Sequence, residues 1–171
     1  MLSEAARDEI RALTERYPEG KRKSAVMPAL YVAQRELGHL SAEVLREVGE
    51  LLSLAPVHVA AVATFYTMYE KEPAGKHIID VCTNISCLLC GADDILAHLE
   101  NRLGIKAGQT TADGLLTVRE QECIGACSTA PALQIDYRFH ENLTIERVDA
   151  ILDALLAGDV PPSPEEVAHH G

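Results

Sequence analysis

Five cysteines stand between positions 82 and 127, and four of them form two tight pairs. Cys82 and Cys87 have four residues between them, Cys123 and Cys127 have three, and 35 residues separate the pairs. Thiolates grouped this way bind metal or carry out redox chemistry. A single zinc ion usually takes its ligands from knuckles with two to four intervening residues. A two-iron cluster spans more space and accepts wider, unequal loops. The spacing leans towards a [2Fe-2S] centre, with structural zinc and a redox disulfide as alternatives allowed by the same chemistry. Cys90, the fifth cysteine, reads as a small buried apolar residue, because free cysteine is among the most buried residue types.

Four thiolates can converge only if something rigid aims them. His77-Ile78-Ile79-Asp80-Val81 is short and rich in β-branched residues, a strand that runs straight into Cys82. Residues 91 to 103 follow as a helix with Ile95, Leu96, Leu99 and Leu103 on one side, closed by Gly104. Leu115 to Glu122 alternates and ends at Cys123. Ala132 to Asp136 and a shorter run near Arg138 to Leu143 read as a hairpin. Thr144 then caps a last helix that buries Ile145, Val148, Ile151, Leu152 and Leu155. The order β-α-β-β-β-α, or β-α-β-β-α if the hairpin's second strand is ragged, suits a small thioredoxin-like α/β sandwich with both cysteine pairs in loops at strand ends. Gly91 and Gly125 give those loops backbone freedom, and their free N–H groups can donate to cluster sulfur.

The chain before this region reads as helical. Ala6, Ile10, Leu13 and Tyr17 make one apolar face that Pro18-Glu19-Gly20 ends. Val26, Leu30, Ala33 and Leu37 repeat the spacing up to Gly38, with Pro28 near the first turn, where a missing N–H costs least. Ser41 is positioned to cap a third helix burying Val44, Leu45, Val48, Leu51 and Leu52. Pro56 opens a fourth helix. Its Val59, Val62, Tyr66 and Tyr69 form one face, while Ala60, Ala61, Ala63 and Phe65 leave the other side apolar too, so it must be covered on two sides, by its own bundle and by something else. Leu51 to Tyr69 carries no formally charged side chain, but Ser53, Pro56, His58, Thr64, Tyr66 and Thr67 interrupt it, and a buried helix fits it better than a membrane span. The expected organisation is α+β: a helical bundle over 1–72, a thioredoxin-like [2Fe-2S] domain over 73–157, and a disordered Pro-rich acidic tail over 158–171.

Charge narrows the class of partner. The formal net charge is −11, and it is unevenly spread: residues 1 to 72 carry −2 and residues 73 to 171 carry −9. Nucleic acid or an anionic membrane would require a basic face, which this chain cannot build. Met1-Leu2-Ser3-Glu4 begins neither a basic n-region nor an apolar h-region, which leads us to expect a cytoplasmic location. There, paired cysteines serve as metal or redox ligands more often than as disulfides. Glu120 and Glu122 flank the second cysteine pair and Arg119, read as a solvated strand residue, is the one cation near in sequence, so a low cluster potential is expected. Lys21-Arg22-Lys23 reads as a solvated turn. The histidines lack a partner spacing, and neither a nucleophile elbow nor a phosphate-binding glycine loop is present.

Several stretches together resemble a known family: Cys82-Thr-Asn-Ile-Ser-Cys87, Cys123-Ile-Gly-Ala-Cys127-Ser-Thr-Ala-Pro131, Glu141-Asn-Leu-Thr144 and Val62-Ala-Thr-Phe-Tyr-Thr67. They are similar to the small thioredoxin-like [2Fe-2S] subunit of NADH:quinone oxidoreductase (complex I), from about Tyr17 to Leu156. Close relatives serve as diaphorase subunits of NAD-linked formate dehydrogenases and hydrogenases. The resemblance implies that Cys82, Cys87, Cys123 and Cys127 ligate one [2Fe-2S] cluster, and that the N-terminal helices pack on a flavoprotein subunit holding FMN and the NADH site. It also implies single-electron exchange with that flavin, within the peripheral arm of a larger complex that contains further iron–sulfur subunits. The chain alone would not oxidise NADH. Cys90 departs from the family, which commonly has another, often basic, residue there. A zinc-stabilised or redox-sensing interaction module is the alternative from a different class.

Overall fold

The computed structural model describes residues 1–159. The chain divides into two compact units, Met1–Ala74 and a second beginning at Gly75. All but the first two residues of the expected tail over 158–171 lie outside the described residues.

Four helices build the first unit: α1 (Glu4–Glu15), α2 (Val26–Leu37), α3 (Ala42–Leu52) and α4 (Pro56–Phe65). Each starts where the sequence supplies a start. The Ser3 hydroxyl accepts from the Ala6 N–H at 3.2 Å and that of Ser41 from the Val44 N–H at 3.4 Å, satisfying donors that a helix N-terminus leaves without partners. Pro56 occupies the first turn of α4. Gly38 ends α2 in the left-handed region, at φ 78°. Ile10, Leu30, Val48, Leu52 and Val59 meet in one core; burying each such side chain contributes roughly 1.5–3 kcal/mol. Arg7 binds Glu47 through Nε at 2.8 Å and Nη2 at 2.6 Å, tying α1 to α3. Lys21, Arg22 and Lys23 are exposed, at the start of a short 3-10 turn.

Helix α4 meets the bundle on one side, as expected, but is shorter than expected. Val59 and Ala63 are fully buried, but Val57 and Phe65 are 69% and 79% exposed, so the bundle covers one side of the helix only. The helix also stops short of Tyr69, because Tyr66 takes an extended backbone at φ −92° and ψ 118°. Tyr69 reaches the core from the following turn and donates its hydroxyl proton to the Met27 carbonyl at 2.9 Å. The uncharged run is broken at Ser53, which is left-handed at φ 55°, and α3 and α4 meet at a bend of 119°. Among the described residues no single helix is long and apolar enough to cross a membrane.

The second unit contains β1 (His77–Cys82), α5 (Ile85–Leu89), α6 (Ala92–Leu103), β2 (Leu116–Gln121), β3 (Leu133–Ile135), β4 (Arg138–His140) and α7 (Ile145–Ala157). The sheet order is β2-β1-β3-β4. Strands β1 and β2 are parallel, with His77 opposite Leu116 and Cys82 opposite Gln121, whereas β1–β3 and β3–β4 are antiparallel. A parallel pair needs a crossover, which α6 provides. Ile79, Val81, Leu116, Val118, Leu133 and Ile135 share a core with Ile95 and Leu99 of α6 and Val148, Leu152 and Leu155 of α7. Outside that core, Asp149 accepts from His98 Nε2 at 2.7 Å and Arg102 Nη1 at 2.5 Å, fastening α6 to α7.

Turn chemistry explains the hairpin. Asp136 and Tyr137 both have positive φ, 50° and 69°, the arrangement a tight two-residue hairpin demands. The Asp136 carboxylate also meets His77 Nδ1 at 2.6 Å and accepts from the Ile78 N–H at 3.0 Å. Gly75 enters the unit so close to β2 that an added Cβ would lie 2.7 Å from the Leu116 carbonyl carbon. Helix α5 is absent from the expected order of elements, because its five residues are too few to show a helical period.

Candidate metal centre

Strand β1 ends at Cys82, and Cys87 lies inside α5, a single helical turn whose N-cap, Asn84, accepts from the Ile85 N–H at 2.9 Å. Cys123 follows two residues after the end of β2, and Cys127 opens the 3-10 turn Cys127–Thr129. Because β1 and β2 run parallel and in register, their C-terminal ends lie side by side. Two pairs from opposite ends of a 46-residue span thus arrive at one end of the sheet. Thr83 prolongs the pairing: its N–H donates to the Gln121 carbonyl at 3.0 Å and its hydroxyl to Glu120 at 2.9 Å.

Cys82 and Cys87 are buried with Ala92, Ala126 and Ala132, small residues that leave room around the sulfurs. Cys123 and Cys127 are exposed. Cys87 and Cys123 lie close enough to Cys82 to act on its thiol, and Cys127 close enough to act on the charge of Cys87. Burial pushes the Cys82 thiol up, but the Asn84 and Ile124 N–H groups, with the two neighbouring thiols, bring it below its ordinary value. For Cys87 burial and the neighbouring Cys82 prevail and raise the thiol, against the Ala132 N–H. A metal would hold all the thiols that ligate it deprotonated.

The donor set is therefore thiol-rich, with backbone N–H groups near Cys82 and Cys87 that favour their charged forms. Among the described residues no three His, Cys, Asp or Glu side chains close on a single point tightly enough for one metal ion. A two-iron cluster takes four thiolates, the number that the two pairs supply. The residues present fit that group. Gly91 and Gly125 both adopt positive φ, 94° and 83°, as the loop reading requires.

The profile of the thioredoxin-like [2Fe-2S] ferredoxin family matches residues 10–156. The chain belongs to that family. Among curated proteins, the E 2 subunit of NADH-quinone oxidoreductase from Rhizobium meliloti is 46% identical over 162 residues, covering 95% of each chain. NADH-quinone oxidoreductase subunit 2 of Thermus thermophilus is 40% identical over 144 residues, covering 84% of this chain and 80% of its own. Among solved structures, NAD+-reducing [NiFe]-hydrogenase in the air-oxidized state superposes with a TM-score of 0.70 at 30% identity. The match covers 83% of this chain and 24% of the hydrogenase chain. The α+β arrangement of a helical N-terminal region followed by a thioredoxin-like ferredoxin domain is thus that of the family.

Two side chains of the ferredoxin unit differ from expectation. Cys90 is exposed: it caps the C-terminus of α5, its N–H donating to the Ser86 carbonyl at 3.2 Å, and the helix end turns it outward. Arg119 is not merely solvated. It sits opposite Asp80 in the β1–β2 register and binds that buried carboxylate through Nε at 2.7 Å and Nη2 at 3.1 Å. The parallel pairing of the strands creates this contact, and the spacing of 39 residues gives no local sign of it. The backbone donors Asn84, Ile124 and Ala132 likewise carry no side-chain signature; Asn84 alone announces itself, as a residue suited to a cap.

Proposed function

We propose that this chain is an electron-transfer subunit of an NADH dehydrogenase module. In this reading Cys82, Cys87, Cys123 and Cys127 hold one [2Fe-2S] cluster that exchanges single electrons with FMN in a partner flavoprotein. The observation that carries the reading is the arrival of both cysteine pairs at the adjoining ends of β1 and β2. When bound, the cluster supplies one-electron redox chemistry at nearly fixed geometry. The protein supplies rigidity, exclusion of water around Cys82 and Cys87, and a negative setting. Arg119 is already engaged by Asp80, and Glu120 and Glu122 lie beside the second pair, which supports a low potential.

The open side of α4 supports a docking role for the first unit. Val57, Phe65 and Tyr66 present exposed apolar surface, with the Phe65 and Tyr66 rings edge-on at 5.0 Å. Exposed aromatic side chains gathered on one helix mark protein contacts more often than solvent-facing surface. We assign this face to the FMN- and NADH-bearing flavoprotein of NADH:quinone oxidoreductase. A second reading places the same module in an NAD-linked hydrogenase or formate dehydrogenase; the superposition on the NAD+-reducing hydrogenase favours it.

Purification of the full chain tests both parts. The expected preparation is reddish-brown, holds two irons per chain, and becomes paramagnetic on reduction. A colourless protein with one zinc would instead support the zinc-stabilised interaction module. Phe65→Glu should keep the visible spectrum and lose co-purification with the flavoprotein subunit. Retained co-purification would remove α4 from the interface. The proteins that accompany the wild-type chain identify the parent complex.

A further inference from the structure

The second cysteine pair lacks the framework that holds the first. Cys123 and Cys127 are exposed, and the chain between them passes through Gly125 at φ 83°, with nothing within 4 Å of where its Cβ would lie. What fastens this loop comes from elsewhere in the unit. Glu141 and its two successors, between β4 and α7, reach back to it. The Thr129 hydroxyl donates to Glu141 Oε1 at 2.5 Å, the Asn142 N–H to the Thr129 carbonyl at 2.7 Å, and the Leu143 N–H to the Pro131 carbonyl at 3.0 Å. Asn142 takes positive φ, 50°, a conformation its short amide side chain tolerates. Thr129 also lies 3.2 Å from the Ala126 carbonyl through the same oxygen, but a hydroxyl has one proton, and a carboxylate is the stronger acceptor.

We propose that Glu141 is a positioning residue for the cysteine loop that carries Cys127, acting through Thr129. The inference rests on the cluster reading above. Two independent features of Glu141 support it. Its contact with Thr129 is the only side-chain bond among these three fastenings, and Thr129 is two residues from Cys127. Its carboxylate also forms no ion pair among the described residues, although a neutral partner would hold a threonine as well. A charge left uncompensated beside a redox centre lowers the potential of that centre. Glu141 therefore has two separable effects: its hydrogen bond holds the loop, and its charge disfavours reduction.

Variants of the full chain, isolated with cluster, separate the two. Glu141→Gln preserves the acceptor oxygen and removes the charge. It should release iron to a chelator within about twofold of wild type while its midpoint potential moves positive. Glu141→Ala and Thr129→Val should each release iron about tenfold faster, the lower end of what loss of an outer-shell partner produces. The double variant should be no worse than either single one, because both remove the same contact. Circular dichroism of the iron-free proteins should match wild type. Wild-type release rates in Glu141→Ala, additivity in the double variant, an unmoved midpoint in Glu141→Gln, or an iron-free Glu141→Ala that has lost its secondary structure would each overturn the proposal. A colourless wild-type protein sinks the cluster reading and this inference with it, whereas a coloured wild type with any of those results overturns the inference alone.

Discussion

Cys82 and Cys87 are 2% and 1% exposed, one at the end of a paired strand and one in a capped helical turn, while Cys123 and Cys127 stand open to solvent in a loop. The first pair belongs to the core that the chain must build to fold. The second is brought to the same place by strand β2 and kept there by hydrogen bonds from the β4–α7 turn. The contrast suggests a division of labour. A sealed half makes the site dry and rigid, and an open half lets metal enter and gives a partner access to the sulfurs.

Substitution of the proposed ligands should break this contrast most visibly. Cys87→Ser and Cys123→Ser should both lose most of their iron, since each removes a thiolate. Only Cys87→Ser should also destabilise the iron-free chain, by about 1 kcal/mol, because it puts a more polar group into a site that is 1% exposed, whereas Cys123 is exposed. Denaturation of the two iron-free variants measures the difference; equal midpoints would abolish the distinction. Iron retained in full by Cys123→Ser would point instead to rescue by Cys90, which is exposed and three residues beyond Cys87.

The scaffold under the sealed pair comes next in size. Arg119→Leu strands the buried Asp80 carboxylate two residues before Cys82. The expected loss of stability is about 2 kcal/mol, below the range for fully buried pairs because the arginine is partly exposed. A denaturation midpoint unchanged from wild type would show that this pair adds nothing to the framework. The smallest effect belongs to the open loop. Gly125→Ala meets no atom but must keep a left-handed backbone, at a cost of about 1 kcal/mol. It should quicken iron release a few-fold and leave iron-free melting alone; a lowered melting point would mean that the loop is part of the core after all.

How far these features are legible in the sequence depends on the range of the interactions. Ser41 and Thr144 as caps, Gly38 and Gly104 as stops, and the apolar faces of α1, α3 and α7 follow from contacts within a few residues, which periodicity and cap chemistry report directly. The strands that carry the cysteines are legible for the same reason. Arg119 against Asp80, and Thr129 against Glu141, depend on which strands and turns become neighbours, and nothing near those residues in the chain records it. Cys90 misleads because residue type favours burial while its position, at the end of a five-residue helix, faces water. The open side of α4 is legible as well, because an apolar back opposite the bundle-facing residues calls for a cover other than the bundle.

Strands β1 and β2 advance together rung by rung, from His77 with Leu116 to Cys82 with Gln121. Two residues inserted into either one, the smallest change that keeps every side chain on its own face, would carry one thiol pair about 6.6 Å past the other. Insertions in the connection between α6 and β2 shift nothing at the sulfurs. The history of this chain should therefore have tolerated growth in that connection and forbidden it in the two strands, whose shared length acts as the gauge of the site.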